Sequence, residues 1–404
     1  MRAVFDKQRR RFAVKDERSI RRSFFDLLDG FLFPAATRTT TAPFVRDTIS
    51  VQRLLNNFVI ASLPVWVIGL WSVGKQTNRA IQILGIDSPE GWRADLLQWL
   101  GVGFSPFNIG GCFLHGFLYF LPIFLIALIV GAFWESMFAK YRGRPVDDGL
   151  LQVAWLFALI LPATVSPLEV ALGMTAAIVV GKGIFGGSGR YLVSPAIFGL
   201  AFLTFSYPNV LFGPGSWVPV AGFDDPTTIE LFTDENGIET LLSVGYSWTS
   251  MFIGDQPGPF GVVSILGCLL GAIYLVLTGT ASWRIMVGSF IGLVVTVLVF
   301  NAFGGEDNHI ASIPWYWHAI TGGWAFGTVF LATDPVASSY TNPGRWAFGF
   351  VVGSLTIVVR ITNPAYYEGV VFAILLASIF APLFDYFVVQ RNIKRRLARQ
   401  EALS

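Results

Sequence analysis

Five carboxylates stand at the ends of apolar stretches, where a charged side chain would meet the edge of a membrane. They are Glu135, Glu169, Asp334, Glu368 and Asp385. An ionised carboxylate is costly to hold in hydrocarbon, so such residues are candidate ion or proton sites. Acidic side chains at both ends of a helical bundle would form the two mouths of a cation path. The alternative is helix capping just outside the membrane, which stays open for Glu169 and Glu368, whereas Asp334 and Asp385 follow long apolar stretches.

Asp334 has the most informative surroundings of the five. It ends an apolar, glycine-spaced stretch that begins at Gly322, and Pro335 follows it directly. A proline there forces the helix to end or kink, which frees backbone carbonyls that can face a cation. The stretch by itself is equally compatible with a capping aspartate in a loop.

The sequence lacks the residue patterns of several other common chemistries. The sequence has no nucleotide-binding glycine loop, metal-ligand spacing or hydrolytic triad, and nothing in it indicates a nucleic-acid partner. Cys112 and Cys268 lie at or in apolar stretches, which is typical of buried thiols. The aromatic neighbours of His318 favour an interfacial anchor over a metal ligand.

The composition indicates an integral membrane protein. Of the 404 residues, 53% are hydrophobic and only 13% are charged, and the mean hydropathy is +0.60. Soluble domains carry roughly 25% charged residues. The 42 glycines, 37 phenylalanines and 13 tryptophans are typical of a helical bundle with close helix contacts and aromatic side chains at the interfaces.

Apolar stretches of membrane-spanning length predict an all-α fold with about ten transmembrane helices. We expect them at about Leu54–Val73, Cys112–Phe138, Gly149–Val165, Val170–Phe185, Val193–Tyr207, Phe260–Thr278, Trp283–Phe303, Trp315–Thr333, Trp346–Ile361 and Gly369–Val389. A faint repeat pairs Ser194-Pro195-Ala196 with Asn363-Pro364-Ala365. Two five-helix halves of opposite orientation would follow, which is a transporter architecture.

Loop charges divide the chain into five segments and predict that both termini are cytoplasmic. We expect a basic N-terminal segment (1–53), a first membrane half (54–207), an extracytoplasmic acidic loop (208–259), a second membrane half (260–389) and a basic cytoplasmic tail (390–404).

A few charges fit this orientation poorly. Lys75, Arg79 and Arg93 fall in an outer turn, and Arg360 also stands on the outer side. Lys182 and Arg190 are expected in a cytoplasmic turn, which agrees with the rule.

Eight stretches, in the same order along nearly the whole chain, carry a family resemblance. They are Val130–Glu135, Phe185–Arg190, Ala281–Ile285, Ile313–His318, Phe330–Val336, Asn363–Tyr366, Ala381–Asp385 and Arg391–Arg399. They resemble the B subunits of sodium-translocating NADH:quinone oxidoreductases (the NqrB family) and the related D subunits of Rnf complexes. The resemblance implies one membrane subunit of a six-subunit complex in a bacterial inner membrane, which passes electrons from NADH to quinone and exports Na⁺. It also implies ten helices in two inverted halves, similar to urea transporters.

The resemblance implies roles for five residues. Gly131 and Glu135 match the stretch linked to quinone binding, and Asp334 and Asp385 match acidic positions linked to sodium uptake. Thr227 matches the threonine that carries FMN through a phosphoester bond, and Thr228 is the alternative acceptor. FMN, a second flavin (riboflavin) and quinone are therefore the expected cofactors and substrate, and a flavin would carry the redox step.

The sequence departs from the family at both flavin positions. The flavinylation motif Asp-Gly-x-Ser-Gly-Ala-Thr is replaced by Ala221-Gly222-Phe223-Asp224-Asp225-Pro226-Thr227. Where relatives have two asparagines and an arginine associated with riboflavin, this chain has Tyr191, Ser194 and Leu200. The alternative interpretation is a flavin-free paralogue that acts as a structural or ion-conducting membrane subunit.

Overall fold

The computed structural model describes residues 51–86, 91–143, 146–213, 215–223, 228, 230–233, 237–303, 308–363 and 369–401. The predictions for Thr227, for Glu368 and for nearly all of the N-terminal segment fall outside these residues. So does most of the Asn363-Pro364-Ala365 half of the faint repeat.

Within the described residues the secondary structure is helical. In chain order the α-helices are α1 (Val51–Leu84), α2 (Trp92–Trp99), α3 (Ile109–Arg142), α4 (Leu150–Ile160), α5 (Pro167–Ala176), α6 (Pro195–Ser206), α7 (Pro208–Phe212), α8 (Gly237–Val244), α9 (Trp248–Ile253), α10 (Ile265–Leu277), α11 (Trp283–Phe303), α12 (His309–Ser312), α13 (Trp315–Ile320), α14 (Trp324–Phe326), α15 (Asn342–Thr362) and α16 (Val370–Glu401). Two of them continue as π-helices: α5 runs into Ala177–Gly183, and α14 runs into Gly327–Leu331.

Among the residues that the structure describes, five helices are long and apolar enough to cross a membrane: α1, α3, α11, α15 and α16. This agrees with a membrane protein, and these helices lie at five of the ten predicted spans. The other five spans are occupied by shorter helices, of which α4, α6 and α10 are apolar. Ten spans in inverted halves therefore remain a prediction.

The break between α4 and α5 has a local cause. Leu161 is extended after the last residue of α4, and Ser166 and Pro167 begin α5. Ser166 and Glu169 form a capping box, in which the Ser166 N–H donates to Glu169 Oε2 at 2.8 Å. Such a box satisfies backbone donors at a helix start. Glu169 is thus a helix cap, which was the open alternative for this residue.

Glycines bring two pairs of long helices into backbone contact. A Cβ at Gly116 of α3 would lie 2.0 Å from the Leu70 carbonyl oxygen of α1. A Cβ at Gly353 of α15 would lie 1.9 Å from the Ser289 carbonyl oxygen of α11. Any larger residue at either position would push the two helices apart, as at the small-residue crossings of membrane bundles.

Of the basic residues that disagree with the charge rule, Lys75 and Arg79 contact the acidic loop. Lys75 Nζ donates to Asp255 Oδ2 at 2.5 Å, and Arg79 Nη2 donates to the Val244 carbonyl at 3.0 Å. The guanidinium of Arg93 stacks on the Tyr119 ring at 4.3 Å from its centroid. Lys75 and Arg79 therefore fasten the 208–259 loop to α1, and the position of all three cations is set by packing.

Arg360 is likewise held inside the protein and is only 1% exposed. Its guanidinium donates to the His318 carbonyl at 2.9 Å and to the Thr321 carbonyl at 3.0 Å. Because carbonyls at the end of a helix carry partial negative charge, α13 supplies part of the charge that this cation needs.

Candidate functional site

Asp334 lies in the turn that follows the π-helix Gly327–Leu331, and it is only 3% exposed. Its Oδ1 accepts hydrogen bonds from the backbone N–H of Val336 at 2.9 Å and of Ala337 at 3.3 Å. The Tyr191 hydroxyl donates to the same carboxylate, at 3.1 Å from Oδ1 and 3.3 Å from Oδ2. The backbone of the turn thus uses only Oδ1, whereas the Tyr191 hydroxyl lies within hydrogen-bond distance of both oxygens.

No cation balances this buried carboxylate within the described part of the chain. No Lys, Arg or His nitrogen of those residues lies within 4.0 Å of it. Burial raises the pKa of Asp334, and the hydrogen bonds from Val336, Ala337, Tyr191 and Ser194 oppose that shift. A buried acid that is hydrogen-bonded but lacks a counter-charge is a candidate cation or proton site.

Asp385 on α16 is bonded differently. Its Oδ1 accepts from Ser339 Oγ at 2.6 Å and from the Thr341 N–H at 2.9 Å, and its Oδ2 accepts from the Tyr340 N–H at 2.8 Å. Thr341 Oγ1 also donates to Oδ1. Four donors satisfy the charge and fix the turn that leads into α15, whose N-cap is Thr341.

The two predicted sodium residues therefore hold the same segment, residues 334–341, which we call the acid-held segment. Asp334 begins it and Asp385 fixes its end. The sequence suggested two acids at membrane edges, and the structure joins them through one stretch of backbone.

Glu135 of α3 forms a buried ion pair that the sequence did not suggest. Lys182 Nζ donates to Glu135 Oε1 at 2.5 Å and to the Asp148 carbonyl at 3.0 Å. The Glu135 and Lys182 side chains are only 4% and 2% exposed. Glu135 Oε2 has no hydrogen-bond partner among the described residues.

The expectation that Lys182 lies in a turn between helices is wrong, whereas its side of the membrane stays a prediction. It lies in the π-helix Ala177–Gly183, with its amine inside the protein. The signal was available, because Lys182 follows the apolar run Ile178–Gly181 and such a lysine needs a buried partner.

Gly131 lies one helical turn before Glu135 and serves close packing. A Cβ here would lie 2.5 Å from Leu150 Cδ1 and 2.6 Å from Met174 Cε. Towards the end of α3, a small cleft is lined by Glu135, Phe138, Arg142, Asp147 and Lys182, among others. Arg142 donates to the Gly183 carbonyl across this cleft. Gly131 and Glu135 thus share one face of α3, where polar groups stand next to apolar ones.

The positions that the resemblance associates with riboflavin are filled by this chain's own side chains. Tyr191 and Leu200 are buried, and the Tyr191 hydroxyl is bonded to Asp334. Ser194 is the N-cap residue of α6 and interacts with Asp334. These residues do not fit a second flavin, so no role for riboflavin follows from this place.

A larger cavity, of about 450 Å³, lies beside the acidic loop. Its lining includes Trp92, Arg93, His115, Tyr119 and Ala221. Aromatic rings and a guanidinium suit a planar ring that carries an anionic group. Ala221 precedes Thr227 by six residues, a length of chain that reaches at most about 20 Å.

Comparison with known proteins gives one consistent result. Residues 38–394 match the model of the NQR2, RnfD, RnfE family. The chain is 41% identical over 383 residues to the B subunit of the Na(+)-translocating NADH-quinone reductase of Azotobacter vinelandii, covering 93% of this chain and 94% of that protein. It is 41% identical over 382 residues to the corresponding protein of Chromohalobacter salexigens, covering 95% and 92%. It is 40% identical over 403 residues to that of Ectopseudomonas mendocina, covering 99% of each.

Proposed function

The chain belongs to the NQR2, RnfD, RnfE family, and from that premise we propose that it is a membrane subunit of a sodium-translocating NADH:quinone reductase. In this role it takes part in passing electrons from NADH through flavin to quinone, coupled to Na⁺ export. The observation that carries the proposal is the 40% identity that spans 99% of this chain and of a relative with that name. We further propose a bacterial inner membrane, six subunits, ten helices in two inverted halves and both termini in the cytoplasm.

Asp334 and Asp385 belong to the sodium path in this proposal. Asp334 supplies a buried carboxylate with one oxygen that the backbone of the turn does not use. Asp385 keeps the acid-held segment in place through its four donors. Sodium is a hard cation and prefers such oxygen atoms to nitrogen or sulfur.

Gly131 and Glu135 belong to the quinone region. Lys182 holds Oε1 of Glu135 and leaves Oε2 for a hydrogen-bond donor, such as a quinol hydroxyl or a water. The small cleft beside Glu135 would have to widen for a quinone ring, and the Arg142 contact with Gly183 is where it would open.

FMN on Thr227 is the third element of the proposal. The cavity beside the acidic loop supports it, because Trp92 and Tyr119 line the space that a flavin ring would fill, and Arg93 would balance the negative charge of the FMN phosphate. When bound, a flavin accepts two electrons and releases them singly, which is the chemistry that no side chain of this protein can supply.

A flavin-free paralogue is the second candidate, and two observations favour it. Tyr191 is buried against Asp334 where relatives are associated with riboflavin, and Pro226 stands where their FMN motif has alanine. Such a protein would act as a structural or ion-conducting membrane subunit.

Membranes from cells with and without this chain separate the two candidates. We expect membranes from cells that contain the chain to reduce quinone with NADH in a reaction that sodium stimulates. Cells that lack the chain should lose this activity and regain it when the chain is restored. Activity that does not depend on the chain would overturn the proposal. Activity that depends on the chain, from a protein that is dark in a denaturing gel under ultraviolet light, would favour the flavin-free form.

A further inference from the structure

The small cleft towards the end of α3 joins a buried acid to an exposed one. Glu135 of α3 and Asp147 of the loop between α3 and α4 both line it. The Glu135 side chain is only 4% exposed, whereas Asp147 is exposed. The cleft therefore leads from the interior of the protein to its surface.

This cleft has room for water. The space in it that water can occupy is about 30 Å³, and one water molecule needs roughly 10–15 Å³ of such space. Arg142 donates to the Gly183 carbonyl across the cleft and keeps it narrow. In this form the cleft can admit water, whereas a quinone ring does not fit.

One oxygen of Glu135 is available to exchange a proton. Lys182 Nζ donates to Oε1 at 2.5 Å, and Oε2 is buried with no hydrogen-bond partner among the described residues. A buried acceptor without a partner costs free energy, which a proton or a water at that oxygen would remove. Oε2 is thus the atom of Glu135 at which a proton from the cleft would arrive.

We propose that this cleft is the route by which protons reach Glu135 for the reduction of quinone, and that Asp147 collects them from the solvent. The inference rests on the proposed quinone region at Gly131 and Glu135. It adds Asp147 as the entry group, and it makes Lys182 a positioning residue that holds Oε1 and leaves Oε2 to carry the proton.

Reduction of a quinone to a quinol takes up two electrons and two protons, and in the proposed reaction the electrons come from NADH. For each proton, the O–H bond of Glu135 in its carboxylic acid form breaks as an O–H bond forms at a quinone oxygen, which leaves Glu135 as a carboxylate. A proton from Asp147 then passes through water in the cleft to Oε2, and Asp147 regains a proton from the solvent. A second cycle completes the quinol.

The charges around Glu135 tie this proton uptake to reduction. Among the described residues they belong to Lys182 on the π-helix, Arg142 on α3, Asp147 and Asp148 in the loop between α3 and α4, and Arg190 beside Gly186. A proton on Glu135 leaves the buried amine of Lys182 without its counter-charge, which is costly. Electrons on a nearby quinone supply that negative charge, so Glu135 takes up its proton when the quinone is being reduced.

The test measures the maximal rate of NADH-driven reduction of a short-chain quinone by the whole complex in membranes, at saturating sodium. It is run in H₂O and in D₂O at three pH values, roughly one unit apart and centred near neutrality. We expect Asp147→Asn to lower the maximal rate by roughly tenfold at the highest pH and little at the lowest. The reason is that protons must then enter the cleft directly from the solvent, where they become scarcer as the pH rises. The further loss of rate in D₂O should be larger in this variant than in the protein without the substitution.

Asp148→Asn is the matched control. Asp148 is the next residue along the chain and carries the same charge, but its side chain is not part of the cleft lining. This variant should keep nearly the full rate at each pH. Asp147→Glu should also keep most of the rate, because it retains a carboxylate at the mouth of the cleft.

If Asp147→Asn and Asp148→Asn lower the rate equally, the two acids act through their charge alone and the proton route is wrong. A loss with Asp147→Asn that is the same at every pH, or no loss, also overturns the route. The proposed function stands in these cases provided that Glu135→Gln lowers the rate or raises the KM for quinone. If Glu135→Gln changes neither, the proposed quinone role of Glu135 fails and the inference fails with it.

A second variant decides if Asp147→Asn does not assemble. Ala139 also lines the cleft, and Ala139→Val narrows it without removing a charge. A loss of rate that grows with pH in Ala139→Val supports the route, and its absence overturns it.

Discussion

Lys182 and Glu135 form an ion pair of 2.5 Å inside the protein, between a π-helix and the long helix α3. Removing one partner of such a pair costs more than removing both, because the remaining charge stays buried and unpaired.

We therefore predict that Lys182→Met lowers the free energy of unfolding of the protein by about 3–5 kcal/mol. The double variant Lys182→Met with Glu135→Gln should recover much of this loss. Thermal denaturation of the purified complex measures both effects. Lys140→Met is the control, since Lys140 is exposed near the end of α3. Equal losses in the single and double variants would show that the pair contributes packing and no charge balance.

The acid-held segment gives a second prediction. Asp334→Asn and Asp385→Asn should each raise the sodium concentration for half-maximal quinone reduction, by an amount equivalent to about 1–3 kcal/mol. An amide in place of the Asp385 carboxylate would keep one acceptor and lose the other, so at least one of the four present donors would lose its partner. We therefore also expect a lower melting temperature for Asp385→Asn. Unchanged sodium dependence in both variants would leave these residues as structural caps.

A third prediction concerns Gly131. Its missing Cβ faces the ends of the Leu150 and Met174 side chains, which are flexible enough to yield to one methyl group. Gly131→Val should therefore raise the KM for quinone and destabilise the protein by about 1–3 kcal/mol, and Gly131→Ala should do so less. Gly110→Ala, on the same helix, meets only an ordinary contact at 3.7 Å and is the control. If Gly131→Val leaves the KM for quinone unchanged, Gly131 has no role in quinone binding.

The flavin on Thr227 gives a fourth prediction. The protein should fluoresce in a denaturing gel under ultraviolet light, and Thr227→Ala should abolish the band. Mass spectrometry of the region 217–240 should find FMN on the protein without the substitution and none on Thr227→Ala. Thr228→Ala is the control and should leave the band in place. A dark band from cells that flavinylate other proteins would contradict the prediction.

Orientation gives a fifth prediction, because every assignment to one side of the membrane depends on it. A cysteine introduced by replacing Asn236 should react with an impermeant thiol reagent in intact cells, and one introduced by replacing Ser404 should not. The reverse pattern would place the acidic loop in the cytoplasm.

The sequence located parts of the site better than it described their surroundings. Asp334 and Asp385 could be found because each ends a long apolar stretch, and the five long helices follow from the same signal. The contact of Tyr191 with Asp334 could not, because it joins two loops 143 residues apart and no local pattern specifies it.

Lys182 was misassigned for a different reason. The charge rule counts a lysine among glycines as a loop residue. The π-helix continues past that point, and Glu135 compensates the buried charge from another helix. The rule also takes no account of the groups that a charged side chain binds. Lys75 lies beside the acidic loop because it binds Asp255, and Arg79 because it binds the Val244 carbonyl.

The glycine contact between α11 and α15 limits how this protein can move. Where Gly353 meets the Ser289 carbonyl, two backbones touch with no side chain between them that could change rotamer to absorb a displacement. The two helices must therefore travel as a rigid body. The acid-held segment is attached to that body through Thr341, the N-cap of α15, so a cycle of ion uptake and release would have to bend the segment at its other end, beside Asp334 and Tyr191.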